Sequence, residues 1–137
     1  MTQYQTITLA DKTGDIAVVE CNCDRISLRN DKPFVFTTNH FNNSDMLKYQ
    51  YDGEDDIHSH KRYETLKNAL SNCNCCVEFS KELLSGKKGF LCQYDKKLGI
   101  DTIWSSIFDL TDMIIYRAEG NPSRKKFNID KRLNFYN

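Results

Sequence analysis

Two short stretches gather the side chains best suited to chemistry. Phe36-Thr37-Thr38-Asn39-His40-Phe41 ends with an amide and an imidazole, and Ser59-His60-Lys61-Arg62-Tyr63 carries a hydroxyl and a guanidinium. A carboxamide N–H fixed by a scaffold can donate to an oxygen that gains negative charge during a reaction. An arginine beside it can pair with a carboxylate or favour a thiolate. Asn39 and Arg62 are therefore the candidate site residues. The plainer alternatives are an asparagine that turns the chain after a strand and a solvated arginine on a helix surface. His40, His58 and His60 are separated and lack a clustered carboxylate pattern, so they are not expected to bind metal. No cofactor is expected.

The six cysteines offer a competing chemistry. Cys21-Asn22-Cys23 and Cys73-Asn74-Cys75-Cys76 could converge on zinc as a four-thiolate site. Zinc sites usually space their cysteines by two to four residues, whereas one intervening residue is the pattern here. A strand also sends Cys21 and Cys23 to the same face, where one of them can simply be core. Zinc stays the alternative.

The elements that must position Asn39 and Arg62 are legible in outline. Tyr4 to Ala10 alternates, with Ile7 and Leu9 on one face, and reads as a strand. Asp11 to Asp15 is a turn in which Gly14 can take positive φ. Ile16 to Cys21 is apolar without alternation, as a strand covered on both faces would be. Arg25 to Arg29 is a third strand. Pro33 to Thr38, rich in aromatic and β-branched residues, is a fourth that ends at Asn39. A polar, acidic loop runs from Asn42 to Asp56, with a short helical turn at Met46-Leu47. Ser59 can cap a helix whose apolar positions are Tyr63, Leu66, Ala69 and Leu70. Asn72 or Asn74 can cap a second helix, with Cys76, Phe79, Leu83 and Leu84 on one side and Gly86 at its end. The two helices are expected to form a hairpin on one sheet face. Gly89 to Gly99 is irregular. Thr102 to Phe108 and Met113 to Ala118 are strands, with Trp104 expected in the core. The tail, Phe127 to Tyr136, is basic. The order β-β-β-β-α-α-β-β is an α+β layout.

The bulk numbers narrow the partners. With 137 residues and 19 basic against 19 acidic side chains, the chain suits one domain and lacks the basic surplus of a nucleic-acid binder, although a local patch is compatible. No apolar run approaches the roughly 20 residues of a membrane span, so no membrane is expected. No signal peptide is visible at Met1-Thr2-Gln3-Tyr4, which points to the cytoplasm and to reduced cysteines. The chain is in a strand almost at once after Met1, which suits a piece of a larger fold as well as a complete small one.

Leu9-Ala10-Asp11-Lys12-Thr13-Gly14-Asp15 with Val18-Val19-Glu20, then Thr38-Asn39-His40-Phe41, then Arg62-Tyr63, then Thr102-Ile103-Trp104-Ser105 with Phe108-Asp109 fall in an order that resembles the C-terminal half of the linear amide C–N hydrolases. These include the choloylglycine hydrolases, the penicillin V acylases and the acyl-coenzyme A:6-aminopenicillanic acid acyltransferase group (peptidase C45), and the likeness is nearest that last branch. It runs from about Ile7 to Phe127. The resemblance implies the C-terminal part of an αββα N-terminal nucleophile hydrolase sandwich, with antiparallel sheets and a helical hairpin. It implies a cysteine nucleophile that attacks a small acyl-amide substrate, an oxyanion donor matched by Asn39, and a charge-supporting arginine matched by Arg62. No cysteine stands near Met1, and none of the six sits at a matching position. Residues 1–137 are therefore expected to be a single partial domain that works with a nucleophile-bearing N-terminal half or self-associates. The alternative is a non-catalytic remnant or structural module.

Overall fold

The computed structural model describes residues 5–55, 57–71, 74–92, 94–95 and 97–132. Tyr4, Asn72, Cys73 and the tail residues Leu133 to Tyr136 lie outside the described residues. The chain divides into two compact units, Met1–Lys67 and Asn68–Asn137.

The first unit is built on a three-stranded antiparallel sheet, β1 (Gln5–Ala10), β2 (Ile16–Cys21) and β3 (Ile26–Arg29), in that spatial order. Gly14, at φ 89°, closes the β1–β2 turn, and Asp11 accepts from the backbone of Thr13 and Asp15. Thr6 faces Glu20, and Glu20 faces Ser27; one position along, Ile7 faces Val19, and Val19 faces Leu28. Strand alternation therefore sorts the sheet into two faces. One carries the fully buried Val18 and Glu20. The other carries Ile7, Leu9, Ile26 and Leu28, all exposed, with Leu28 at 62%. The expectation that β2 is covered on both faces holds for one face only.

Pro33 to Thr38 is not a strand. Pro33 has no N–H to give a ladder, and side chains take carbonyls that a partner strand would need. Arg29 donates to the carbonyl of Phe36 at 2.9 Å, and the Thr6 hydroxyl donates to that of Thr38 at 2.9 Å. A 3₁₀ turn at Leu47–Tyr49 follows, with Met46 and Phe41 buried before it. Helix α1 (Ser59–Leu70) begins where expected. Its cap is Asp55 rather than Ser59: the Asp55 carboxylate accepts from the Ser59 and His60 N–H groups at 2.7 and 2.9 Å.

The second unit contains α2 (Val77–Leu84), a short hairpin of β4 (Tyr94–Asp95) with β5 (Ile100–Asp101), and a three-stranded antiparallel sheet of β6 (Trp104–Asp109), β7 (Ile114–Glu119) and β8 (Asn128–Ile129). Strand β4 falls in the stretch expected to be irregular, β5 just beyond it, and β8 in the basic tail. The cap of α2 is Cys76, whose Sγ accepts from the Phe79 N–H; Gly86, at φ 79°, ends the helix. Helix α2 packs on β6. Its Lys81 lies 4.6 Å from the ring centre of Tyr116, which pairs with Ile107. Trp104 and Phe108 are on the opposite face and are exposed, at 50% and 63%. Trp104 is thus not a core residue; the Arg117 guanidinium stacks on it at 4.5 Å instead.

Candidate functional site

The site grows from one fully buried carboxylate. Glu20 interrupts the apolar β2 run, and its two oxygens accept from the backbone N–H groups of Asn42 and Asn43 at 2.8–3.0 Å. Backbone amides thus satisfy an acid that would be costly to bury alone. They fasten the loop just beyond Asn39-His40-Phe41 to the centre of the sheet. The Phe41 N–H adds a 2.6 Å bond to Gln50 Oε1, and Asp45 holds Ser27 and Arg25 of the β3 side at 2.8 Å each.

Ser59 is the second anchor and is buried. Its Oγ accepts from the Asn39 N–H at 2.7 Å, donates to Thr38 Oγ1 at 3.0 Å, and lies 2.7 Å from His40 Nδ1. Its carbonyl accepts from the Thr38 hydroxyl at 3.1 Å. Because Asp55 fixes the Ser59 N–H, the start of α1 and the backbone of Asn39 are joined through one side chain. His58, at φ 55°, makes the sharp entry into the helix.

Asn39 and Arg62 meet directly. An Arg62 terminal nitrogen donates to Asn39 Oδ1 at 2.6 Å, and Arg62 Nε donates to the Ile57 carbonyl at 3.2 Å. A guanidinium has no acceptor, so the carboxamide atom facing it is the oxygen. The Asn39 amide nitrogen is therefore at the other end of the group. The positive charge also polarises the carboxamide and strengthens its N–H groups as donors.

The titrations follow from this packing. Burial, first, and repulsion from His60, second, lower the His40 pKa, with Asp55 and Glu20 opposing. The two imidazoles stack at 4.0 Å. Burial pushes the Asp55 carboxyl up, but hydrogen bonds from His60 and Ser59 outweigh it and hold the group below the usual carboxylate range. Burial lowers the Arg62 guanidinium from its ordinary value, and Asp55 opposes the change. A cleft of about 170 Å³ opens beside these groups, lined among others by Asn39, His40, Tyr51, Asp55 and His60. The Tyr51 ring lies so close over Gly53 that a Cβ there would come within 2.1 Å of it. No cysteine lines the cleft.

The structure brings the two sequence candidates into contact within the first unit, together with His40 and His60. Glu20, Ser59 and Asp55 are the anchors that residue types alone did not reveal. The available signal was a charged residue inside the apolar run Ile16 to Cys21, since a buried acid must find donors. Among the described residues no group of three or more His, Cys, Asp or Glu side chains is placed to hold a metal. Cys21, Cys23, Cys76 and Cys92 are free thiols, whereas Cys75 is disulfide-bonded, which corrects the expectation that all six stay reduced. No described helix is long and apolar enough to cross a membrane.

Among the described residues the chain is α+β, with two antiparallel three-stranded sheets and two helices, and Arg62 bonds Asn39 at the edge of a cleft. The sequence model of the acyl-coenzyme A:6-aminopenicillanic acid acyl-transferase family matches residues 2–124, and the chain belongs to that family. No curated protein and no solved structure matches it.

Proposed function

We propose that this chain is the C-terminal portion of a cysteine N-terminal nucleophile amidase or acyltransferase acting on linear amide C–N bonds. Asn39 donates to the oxyanion, and Arg62 supports the nucleophile and its charge. The nucleophile comes from a separate segment. The observation that carries this reading is the 2.6 Å bond from Arg62 to Asn39 Oδ1, because it fixes the carboxamide of a cleft-lining residue against a guanidinium. The thiols give it indirect support: Cys76 is engaged as a helix cap, burial pushes the Cys92 thiol up from its ordinary value, and none lines the cleft. On this reading both units belong to one partial domain of the αββα sandwich, with a helical hairpin, and the exposed apolar face of β1–β3 packs on a second sheet.

The test is co-expression with a nucleophile-bearing half, followed by assay of penicillin V, conjugated bile salts and N-acyl amino acids. The isolated chain is expected to be inactive and to bind a hydrophobic dye, and the complex to be active and dye-free. In that complex Asn39→Ala lowers kcat about 10²- to 10³-fold, the effect of losing one oxyanion donor. An unchanged kcat would leave Asn39 as a turn residue only. Thiol-sensitive turnover by the isolated chain would place the nucleophile among its own cysteines.

A further inference from the structure

The second unit holds a cleft that the acyl-transfer reading does not use. It measures about 520 Å³ and lies between α2 and the turn that follows β7. Five basic side chains line it, Lys81, Lys87, Arg124, Lys125 and Lys126, against two acidic ones, Glu78 and Glu82. The acids are already matched: Lys81 Nζ is 2.6 Å from Glu78, and Lys88 Nζ is 2.8 Å from Glu82. Arg124 pairs with Asp101. Lys125 and Lys126 have no ion-pair partner among the described residues, and Lys87, which acts on Glu82 only beyond ion-pair distance, adds a third ammonium group to the same concave surface.

The platform beneath them is built. Asn121, buried at 2% exposure, accepts on its carbonyl from the Arg124 and Lys125 N–H groups, and on Oδ1 from the Ser123 N–H and hydroxyl. Pro122 is buried beside it. Gly120, at φ 107°, lets the Lys125 stem lie against the backbone, where a Cβ would stand 3.1 Å from Lys125 Cγ. The turn therefore presents Arg124, Lys125 and Lys126 from a fixed frame, and Phe127 adds an apolar wall. Charge complementarity selects the ligand. The surplus of positive charge is balanced by a di- or trianion better than by a single carboxylate, and lysine recognises phosphate as a point charge rather than through a planar fork.

We propose that this cleft binds a small organic phosphate bearing at least two negative charges, with Lys87, Lys125 and Lys126 on the phosphate and Phe127 against its carbon skeleton. The proposal is independent of the role given to Asn39 and Arg62.

The test titrates the purified chain with pyrophosphate, followed by calorimetry and amide chemical shifts. The expected result is saturable one-to-one binding that weakens from low to physiological ionic strength, as for exposed charges. Lys125→Gln with Lys126→Gln together weaken it about tenfold, a loss of about 1.4 kcal/mol, without a change in Tm. Lys87→Gln gives a smaller loss in the same direction and serves if the double variant folds poorly. Lys12→Gln with Lys97→Gln, which remove the same charge elsewhere, leave binding intact. The proposal is overturned by absence of saturation at millimolar pyrophosphate, by equal weakening in the control pair, or by tighter binding of citrate. Binding only to vesicles containing phosphatidic acid, or only to a DNA duplex, would overturn it in favour of those partners.

Discussion

The two three-stranded sheets have the same antiparallel plan and opposite interiors. In the first unit the buried polar residues are Glu20, Thr38, His40 and Ser59, beside Val18, Phe41 and Met46. In the second, Leu83, Ile115 and Ala118 are buried, and Asn121 is the buried polar residue among those described. The charges of the second unit stay at the surface, as in the Arg117–Glu119 and Arg132–Asp130 pairs. A polar interior is costly unless each donor finds an acceptor, and it stabilises one arrangement only. Apolar packing tolerates rearrangement. The comparison teaches that the first unit holds specific side chains in place, while the second provides a platform.

The sharpest way to break this contrast is to remove its central acid. Glu20→Ala strands the Asn42 and Asn43 N–H groups and is expected to cost about 3–5 kcal/mol by urea unfolding, against about 2–4 kcal/mol for Ile115→Ala. The conservative substitutions separate the units better. Glu20→Gln turns an amide N–H₂ toward two N–H donors and costs about 2 kcal/mol, whereas Ile115→Val costs about 1 kcal/mol. If Glu20→Gln were neutral, the buried polar centre would be an accident of packing.

Acid titration sharpens the contrast next. All three histidines lie in the first unit. The folded-state pKa of His40 lies below its ordinary 6.5, so the unfolded chain binds the proton more readily. The stability tied to His40 is therefore complete above about 6.5 and is lost as pH falls from there toward the depressed value. In the second unit Asp130, bound by Arg132, sits at about 2 instead of 3.8, and its contribution is lost only between those values. Trp104 fluorescence, against amide signals of Asn39 to Asn43, reads the two regions apart. A His40→Phe variant with the same pH profile from 7 to 5 would remove His40 from the account.

The smallest effect is expected at the surface. Arg132 bonds Asp130 and Glu119 with its own side chain mostly in solvent, so Arg132→Ala should lower Tm only slightly. A clear loss would show that the second unit also relies on its charges.

Periodicity and turn chemistry made much of this legible. The β1–β2 hairpin, the start of α1, the end of α2 at Gly86 and the β6–β7 pair all follow from local residue types. Asn39 and Arg62 were also legible as candidates, through residue type and resemblance. Pro33–Thr38 misled because strand propensity cannot tell whether Phe36 and Thr38 carbonyls will be taken by Arg29 and Thr6 instead of a ladder. Trp104 misled because its face depends on which side α2 covers. Glu20 was signalled only as a charge inside an apolar run, and the partners of Glu20 and Ser59 were not legible because they stand 22 and 20 residues away.

That separation has a consequence for exchange with solvent. Loop amides normally lose their protons to deuterium quickly, whereas strand amides open only with larger fluctuations. The amides of Asn42 and Asn43 lie in a loop, yet exposing either one strips a buried carboxylate of its donors. Both should retain their protons as long as the interior amides of β2 do, so an unstructured stretch of backbone will carry the protection signature of the sheet beneath it.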